Sequence, residues 1–187
     1  MADSNITKAA LAGALRELME EQPFEKIQIA QICERCGMNR QSFYYHFKDK
    51  YDLVNWIFDT EFIVFAAAGT KDLPADDRWE LIERACEHFY ENRSFYRKAL
   101  AVRGQNSLSD HLREHLLPII KMRVANTVGE DVADEFTTNF FADATLCAIE
   151  RWLLDKHCMP PEEFVAKIKR IIQSGAVEIC REMNESK

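Results

Sequence analysis

Apolar residues recur at three- and four-residue intervals along almost the whole chain, the period of helices with one buried stripe. Ala10, Leu11, Ala14, Leu15 and Leu18 set this rhythm first and predict a helix over about 7–21, which Pro23 ends. Phe24 and Ile27 are expected to tuck beneath the next element. Ile29, Ile32, Cys33 and Cys36 form the inward side of a short second helix, with Gly37 as its left-handed exit. Asn39 is placed to cap a third helix over 40–47. Asp49, with Asp52 three positions on as in a capping box, opens a fourth that runs through Leu53, Trp56, Ile57 and Phe62 to Gly69. Beyond a loop at 69–77 the pattern predicts helices over 78–91, 94–102, 107–127, 132–156 and 161–183. Pro161, Glu162 and Glu163 open the last of these. The predicted class is all-α, about nine helices in total, without internal repeats.

One stretch breaks the rhythm. In GMNRQSFYYHF, residues 37–47, five rings follow one another from Phe43 to Phe47. A short helix buries one stripe, so some of these rings must face outward. Counting round the helix puts Met38, Phe43 and Phe47 on the side of the preceding helices, and Arg40, Gln41, Tyr44 and Tyr45 on the other. Two short helices joined by a turn at Gly37, braced by a first apolar helix, make a helix-turn-helix, whose second helix enters a DNA major groove. The outward set suits that role. Arg40 can fork onto guanine and Gln41 onto adenine. Tyr44 offers a hydroxyl to phosphate, Tyr45 a ring to a thymine methyl, and Ser42 a donor to base or phosphate.

The stretch IAQICERCGMNRQSFYYHFKDKYDL, and with it about the first 55 residues, resembles the DNA-binding domain of the TetR/AcrR family of bacterial transcriptional regulators. The resemblance implies an all-helical homodimer in which residues matching Arg40, Gln41, Tyr44, Tyr45 and Lys50 contact operator DNA. It also implies that the larger C-terminal part senses a ligand or partner. Gln28 departs from the pattern, since the family usually has Ser or Thr there, capping the second helix and touching phosphate. The full set expected at DNA is Gln28, Asn39, Arg40, Gln41, Ser42, Tyr44, Tyr45, His46 and Lys50. A second stretch, FYENRSFYRKAL followed by GQNSL, resembles regulators associated with dihydroxyacetone kinase operons. That resemblance assigns no residues, and because some of that group activate through a protein partner, it leaves the sign of regulation open.

Charge sharpens the picture only locally. The net charge of −7 argues against a protein that coats nucleic acid generally. Residues 1–52 carry 7 Lys and Arg against 8 Asp and Glu, yet 37–50 carry Arg40, Lys48 and Lys50 against Asp49 alone. No apolar run approaches a membrane span and the start MADSNITKAAL lacks the apolar core of a signal peptide, so a cytoplasmic protein without membrane partners is expected. The competing chemistry is Cys33-x-x-Cys36, the spacing of a redox pair or half a zinc site. No second Cys pair follows, and neither a phosphate loop nor a hydrolase or metalloprotease motif is present. No catalytic residue, metal or cofactor is therefore expected.

The remaining expectations concern the larger part of the chain. Residues 1–52 are read as the DNA-binding domain and 53–187 as the sensing and dimerisation domain. The last two long helices carry stripes in which small residues alternate with large. Phe140, Ala144, Ala148 and Trp152 on one, with Phe164, Ile168, Ile172 and Gly175 on the other, are expected at a four-helix dimer interface. A sensor pocket is expected to draw on Phe62, Phe89, Tyr96, His111 and Cys147, and its occupant to be a small-molecule effector or a protein coregulator.

Overall fold

The protein's structure, a computed structural model, describes residues 2–69, 78–102, 104, 106–130 and 133–185. Residues 70–77 of the expected loop, and Val132, lie outside the described residues. Among those described the chain is all-α, with nine α-helices, one 3-10 turn and no strand. No helix among them is long and apolar enough to cross a membrane.

Local chemistry explains the start and end of the early helices. Helix α1 (Ala2–Glu21) runs until the chain approaches Pro23, and a 3-10 turn (Phe24–Lys26) leads into α2 (Ile29–Arg35). At the end of α2 the Gly37 backbone is left-handed, at φ +68°. The Met38 amide donates to the Cys33 carbonyl at 2.8 Å and that of Gly37 to Glu34 at 3.2 Å, the paired bonds of a Schellman end. Asn39 then caps α3 (Arg40–His46), its Oδ1 accepting from the Ser42 amide at 2.8 Å. Asp49 opens α4 (Lys50–Gly69) by accepting from the amides of Tyr51 and Asp52 at 2.8 and 2.9 Å. Asp52 reaches back one residue beyond the cap, accepting from the Lys48 amide at 2.9 Å in place of the Asp49 amide that a reciprocal box would use.

The chain divides into two compact units, Met1–Leu81 with Glu91–Leu108, and Ile82–Tyr90 with Ser109–Lys187. The division at 52 read from the sequence falls inside α4, which lies wholly in the first unit. In that unit α1 is the central brace, packing on α2, α3, α4 and on α6 (Arg93–Leu100), which returns to it after the fifth helix. Leu11 and Leu15 of α1, Ile32 of α2, Phe43 of α3 and Leu53 of α4 are all completely buried there. Arg35 forks onto Glu21 at 2.7 and 2.8 Å, joining the ends of α2 and α1. Its guanidinium holds the Glu21 carboxyl below the usual carboxylate range.

A polar knot ties α1, α4 and α6 together. Arg16 and the Tyr96 hydroxyl both donate to Glu61, and the Arg16 guanidinium lies 4.3 Å from the Phe95 ring centroid. Burial, reinforced by the Glu61 charge, pushes the Tyr96 phenol far above its ordinary value. Nearby the Lys98 ammonium donates to the Met19 and Glu20 carbonyls, satisfying the exposed end of α1.

The second unit is built from residues 82–90 of α5 (Arg78–Glu91), most of α7 (Leu108–Val128), α8 (Glu135–Leu154) and α9 (Pro161–Glu185). Asp134 caps α8 through the Thr137 amide at 2.7 Å. One part of its core gathers Ile120 and Val124 of α7 against Ala133 and Ala142. Another is aromatic: Trp152 stacks on Phe164 with centroids 4.4 Å apart and on Tyr90 at 6.2 Å. The Trp152 Nε1 donates to the Met159 carbonyl at 2.8 Å, so the same side chain pins the α8–α9 connection.

Candidate nucleic-acid interface

Helix α3 has seven residues, too few to persist without support. Its support comes from one side. Phe43 is completely buried and Phe47 nearly so, with ring centroids 5.8 Å apart, and Phe47 meets Trp56 of α4 at 5.8 Å. The opposite side is bare. Arg40 and Gln41 are exposed, Tyr44 is 58% exposed and Tyr45 83%. The five-ring run therefore splits as the helical count requires, and the bare face carries a guanidinium, a carboxamide and two phenols but no acid. Such a face offers donors to base edges and phosphates without a like-charge penalty.

The other residues expected at DNA fall into two groups. Asn39 and Ser42 flank the bare face but are bonded to each other, the Ser42 hydroxyl donating to Asn39 Oδ1 at 3.1 Å. His46 is half-buried and presents its ring edge-on to Tyr45 at 4.9 Å. Gln28 is exposed at the start of α2, where its amide donates to Gln31 Oε1 at 2.8 Å. Gln31 thus supplies the reciprocal half of a cap, serving the Gln28 amide, whereas a Ser or Thr at 28 would serve the amides inside α2. Lys50 is placed differently from expectation. Its half-buried ammonium bonds the backbone carbonyls of Phe24, Glu25 and Ile27, at the turn that leads into α2. A cation that sequence reading passed over is Lys8 of α1, whose ammonium lies 5.9 Å from the Phe47 ring centroid and 5.8 Å from that of Trp56. Its register with Leu11, Leu15 and Leu18 was the available signal.

The two thiols of the competing reading lie on α2 and at its C-cap. Cys33 is buried, and Cys36 points its Sγ at the Ile32 and Cys33 carbonyls, 3.2 and 3.5 Å away. Burial raises both thiols above their ordinary value.

The residues expected at a pocket and a dimer face also separate. Phe62, which stacks on Phe58 at 5.3 Å, and Tyr96 belong to the first unit, whereas Phe89, His111 and Cys147 belong to the second. Cys147 is exposed on α8, in line with Phe140 and Ala144. On the same line Phe136 is 79% and Phe140 59% exposed, and on α9 Ile171 is 64% exposed. Ala148, Ile168, Ile172 and Gly175 are half-buried beside them. Trp152 and Phe164, expected at the interface, are instead buried against each other within the chain. The two stripes were real, but part of each is covered by the chain's own core.

Comparison with known proteins agrees with this geometry. Residues 8–57 match the family model for bacterial regulatory proteins of the tetR family, and residues 77–174 match that for a transcriptional regulator C-terminal region. The HTH-type dhaKLM operon transcriptional activator DhaS of Lactococcus lactis is 26% identical over 102 residues, 54% of this chain and 53% of that one. The chain thus aligns with about half the length of that curated relative. Among solved structures, a TetR transcriptional regulator from Streptococcus agalactiae superposes with a TM-score of 0.70 at 18% identity, covering 91% of this chain and 96% of the other. The dihydroxyacetone kinase operon activator DhaS does so with a TM-score of 0.59 at 17% identity, with the same coverages.

Proposed function

The chain belongs to the TetR family of bacterial transcriptional regulators, and on that premise we propose that it works as a homodimer reading a paired operator, with DNA affinity set by an effector. Residues 1–52 do the reading, and 53–187 do the sensing and pairing. The observation that carries the reading is the split of α3, with Phe43 and Phe47 inside and Arg40, Gln41, Tyr44 and Tyr45 outside. Arg40 and Gln41 supply base discrimination, and Tyr44 supports the register through phosphate. Each good bidentate pair is worth about 1–3 kcal/mol against the wrong base.

The test is selection of a binding site from a random-sequence duplex pool, followed by fluorescence anisotropy on the enriched site. Arg40→Ala with Tyr44→Phe is expected to weaken that complex about 10–100-fold. Undiminished binding by this double variant would remove the reading. The same titration with candidate metabolites of neighbouring genes identifies the effector, whose differential binding is expected to shift affinity about 5–150-fold.

Pairing supports the same reading, because operators read by such helices consist of half-sites about 34–36 Å apart. The stripe Phe136, Phe140, Ala144 and Cys147 on α8, with Ile171 on α9, is apolar and uncovered in a single chain. Large exposed apolar patches of this kind mark association surfaces. Phe140→Asp is expected to convert the dimer to monomer in sedimentation velocity at micromolar protein, with operator affinity falling in step. A wild-type chain that sediments as a monomer at every concentration contradicts this part. The DhaS relative is named an activator, so activation stands beside repression as the sign of regulation, and a reporter fused to the enriched site decides it.

A further inference from the structure

Lys50 is the first residue of α4, placed where the chain has just left the reading helix. Its ammonium reaches back to the turn by which the chain enters α2. The Nζ donates to the carbonyl of Phe24 at 2.7 Å, of Ile27 at 2.9 Å and of Glu25 at 3.1 Å. An ammonium has three donors, so all of them are engaged. The same nitrogen lies 4.5 Å from the Phe24 ring centroid, and the Tyr51 ring stands edge-on to Phe24 at 5.2 Å. The partners are 23 to 26 positions away in sequence, and the segment they enclose is α2, the turn and α3.

We propose that Lys50 is a positioning residue for DNA reading, a clamp that ties the entrance of the helix-turn-helix at 24–27 to its exit at 50, and not a ligand of phosphate. This rests on the DNA-reading function proposed above. The physical reason is rigidity. Helices α2 and α3 have seven residues each and carry few bonds of their own. Base readout needs their side chains held to a fraction of an ångström, and closing both ends of the segment onto one cation removes most of its freedom. The closure also gives a second donor to the Phe24 carbonyl, which already accepts from the Ile27 amide at 3.1 Å. A phosphate would have to break three charge-assisted bonds to recruit this ammonium. Partial burial of Lys50 draws its ammonium below the ordinary lysine value, with the Glu25 charge opposing. Lys48, two positions earlier, is exposed and is the better phosphate partner.

Salt dependence separates clamp from ligand, because each phosphate contact adds about 0.9 to the slope of log affinity against log salt. The probe is the enriched duplex from the selection, or a random duplex of about 30 base pairs if none is enriched. Lys50→Met keeps the stem and removes the donors. It is expected to weaken binding about tenfold with the wild-type salt slope retained, and to speed amide exchange over 24–35 in the free protein. Lys50→Arg, which can still donate to the carbonyls, is expected to recover most of the affinity, whereas Lys48→Ala lowers the slope by about one. A slope lowered by about one in Lys50→Met, with amide exchange over 24–35 unchanged, overturns the proposal and makes Lys50 a phosphate ligand. If the wild-type chain binds no duplex, the DNA-reading function fails, and amide exchange in the free protein still decides the clamp. If Lys50→Met does not fold, the wild-type ammonium decides it. A slowly exchanging Nζ proton resonance supports the clamp, and exchange as fast as that of Lys48 overturns it.

Discussion

Trp152→Ala is expected to destabilise the protein by about 3–5 kcal/mol, the range for deleting a large buried aromatic. The ring is 5% exposed, lies parallel to Phe164 at 4.4 Å and continues the stack to Tyr90 at 6.2 Å. Alanine would leave a cavity with two aromatic walls and remove the donor that the Met159 carbonyl accepts at 2.8 Å. The hydrogen bond accounts for about 1 kcal/mol of the loss, so Trp152→Phe is expected to recover most of it. Urea unfolding measures the difference, and its dependence on protein concentration tells where the residue acts. A residue inside one chain shifts the midpoint equally at all concentrations, whereas an interface residue acts through dimerisation. A loss under about 1 kcal/mol, or one that vanishes when the protein is diluted to monomer, contradicts the intrachain placement.

Phe43→Ala is expected to have a similar energetic cost, about 3–5 kcal/mol, with a larger functional consequence. Phe43 is completely buried, with its ring 5.6 Å from Tyr44 and 5.8 Å from Phe47. It fastens a seven-residue helix whose own hydrogen bonds cannot hold it. Losing about 3 kcal/mol of support multiplies the opening equilibrium constant of the reading helix by about 150. The affinity that anisotropy reads on the selected duplex is therefore expected to fall by up to about 100-fold, as the open form becomes dominant, although Phe43 is buried on the inner side of α3. Wild-type affinity in Phe43→Ala would mean that α3 is held by something other than its aromatic underside.

The two substitutions also show where sequence reading succeeds and where it stops. The helix-turn-helix was legible because its devices are local. Gly37 supplies a left-handed turn, Asn39 bonds a residue three positions on, Asp49 does the same to the Asp52 amide, and Asp52 bonds the Lys48 amide four positions back. Each is a short-range bond between neighbours, so residue type and spacing suffice to find it. The split of the five rings was legible for the same reason, since the geometry of one helix dictates it.

The surroundings of Lys50, Trp152, Phe164 and Cys147 were not legible in this way, for one physical reason. A lysine beside a DNA-reading helix has the same sequence signature whether its ammonium meets a phosphate or a carbonyl 26 residues back. An apolar stripe looks the same whether a second copy covers it or the chain's own next helix does, and on α8 it is partly each: Trp152 is sealed inside while Phe140 is bare. Helical period reports that a face must be covered and is silent on the cover. Likewise α6 reads as an independent short helix, yet it returns to α1 through Lys98 and to Glu61 through Tyr96.

By itself, then, the amino-acid order determined the helices, their caps, the bare face of α3 and the family, because these depend on contacts within a few residues. Only the tertiary structure decided which side chains on each stripe are buried within the chain, where α4 belongs and what the Lys50 ammonium holds. Those outcomes depend on encounters between residues tens of positions apart, and a long-range partner leaves no spacing in the sequence by which to recognise it.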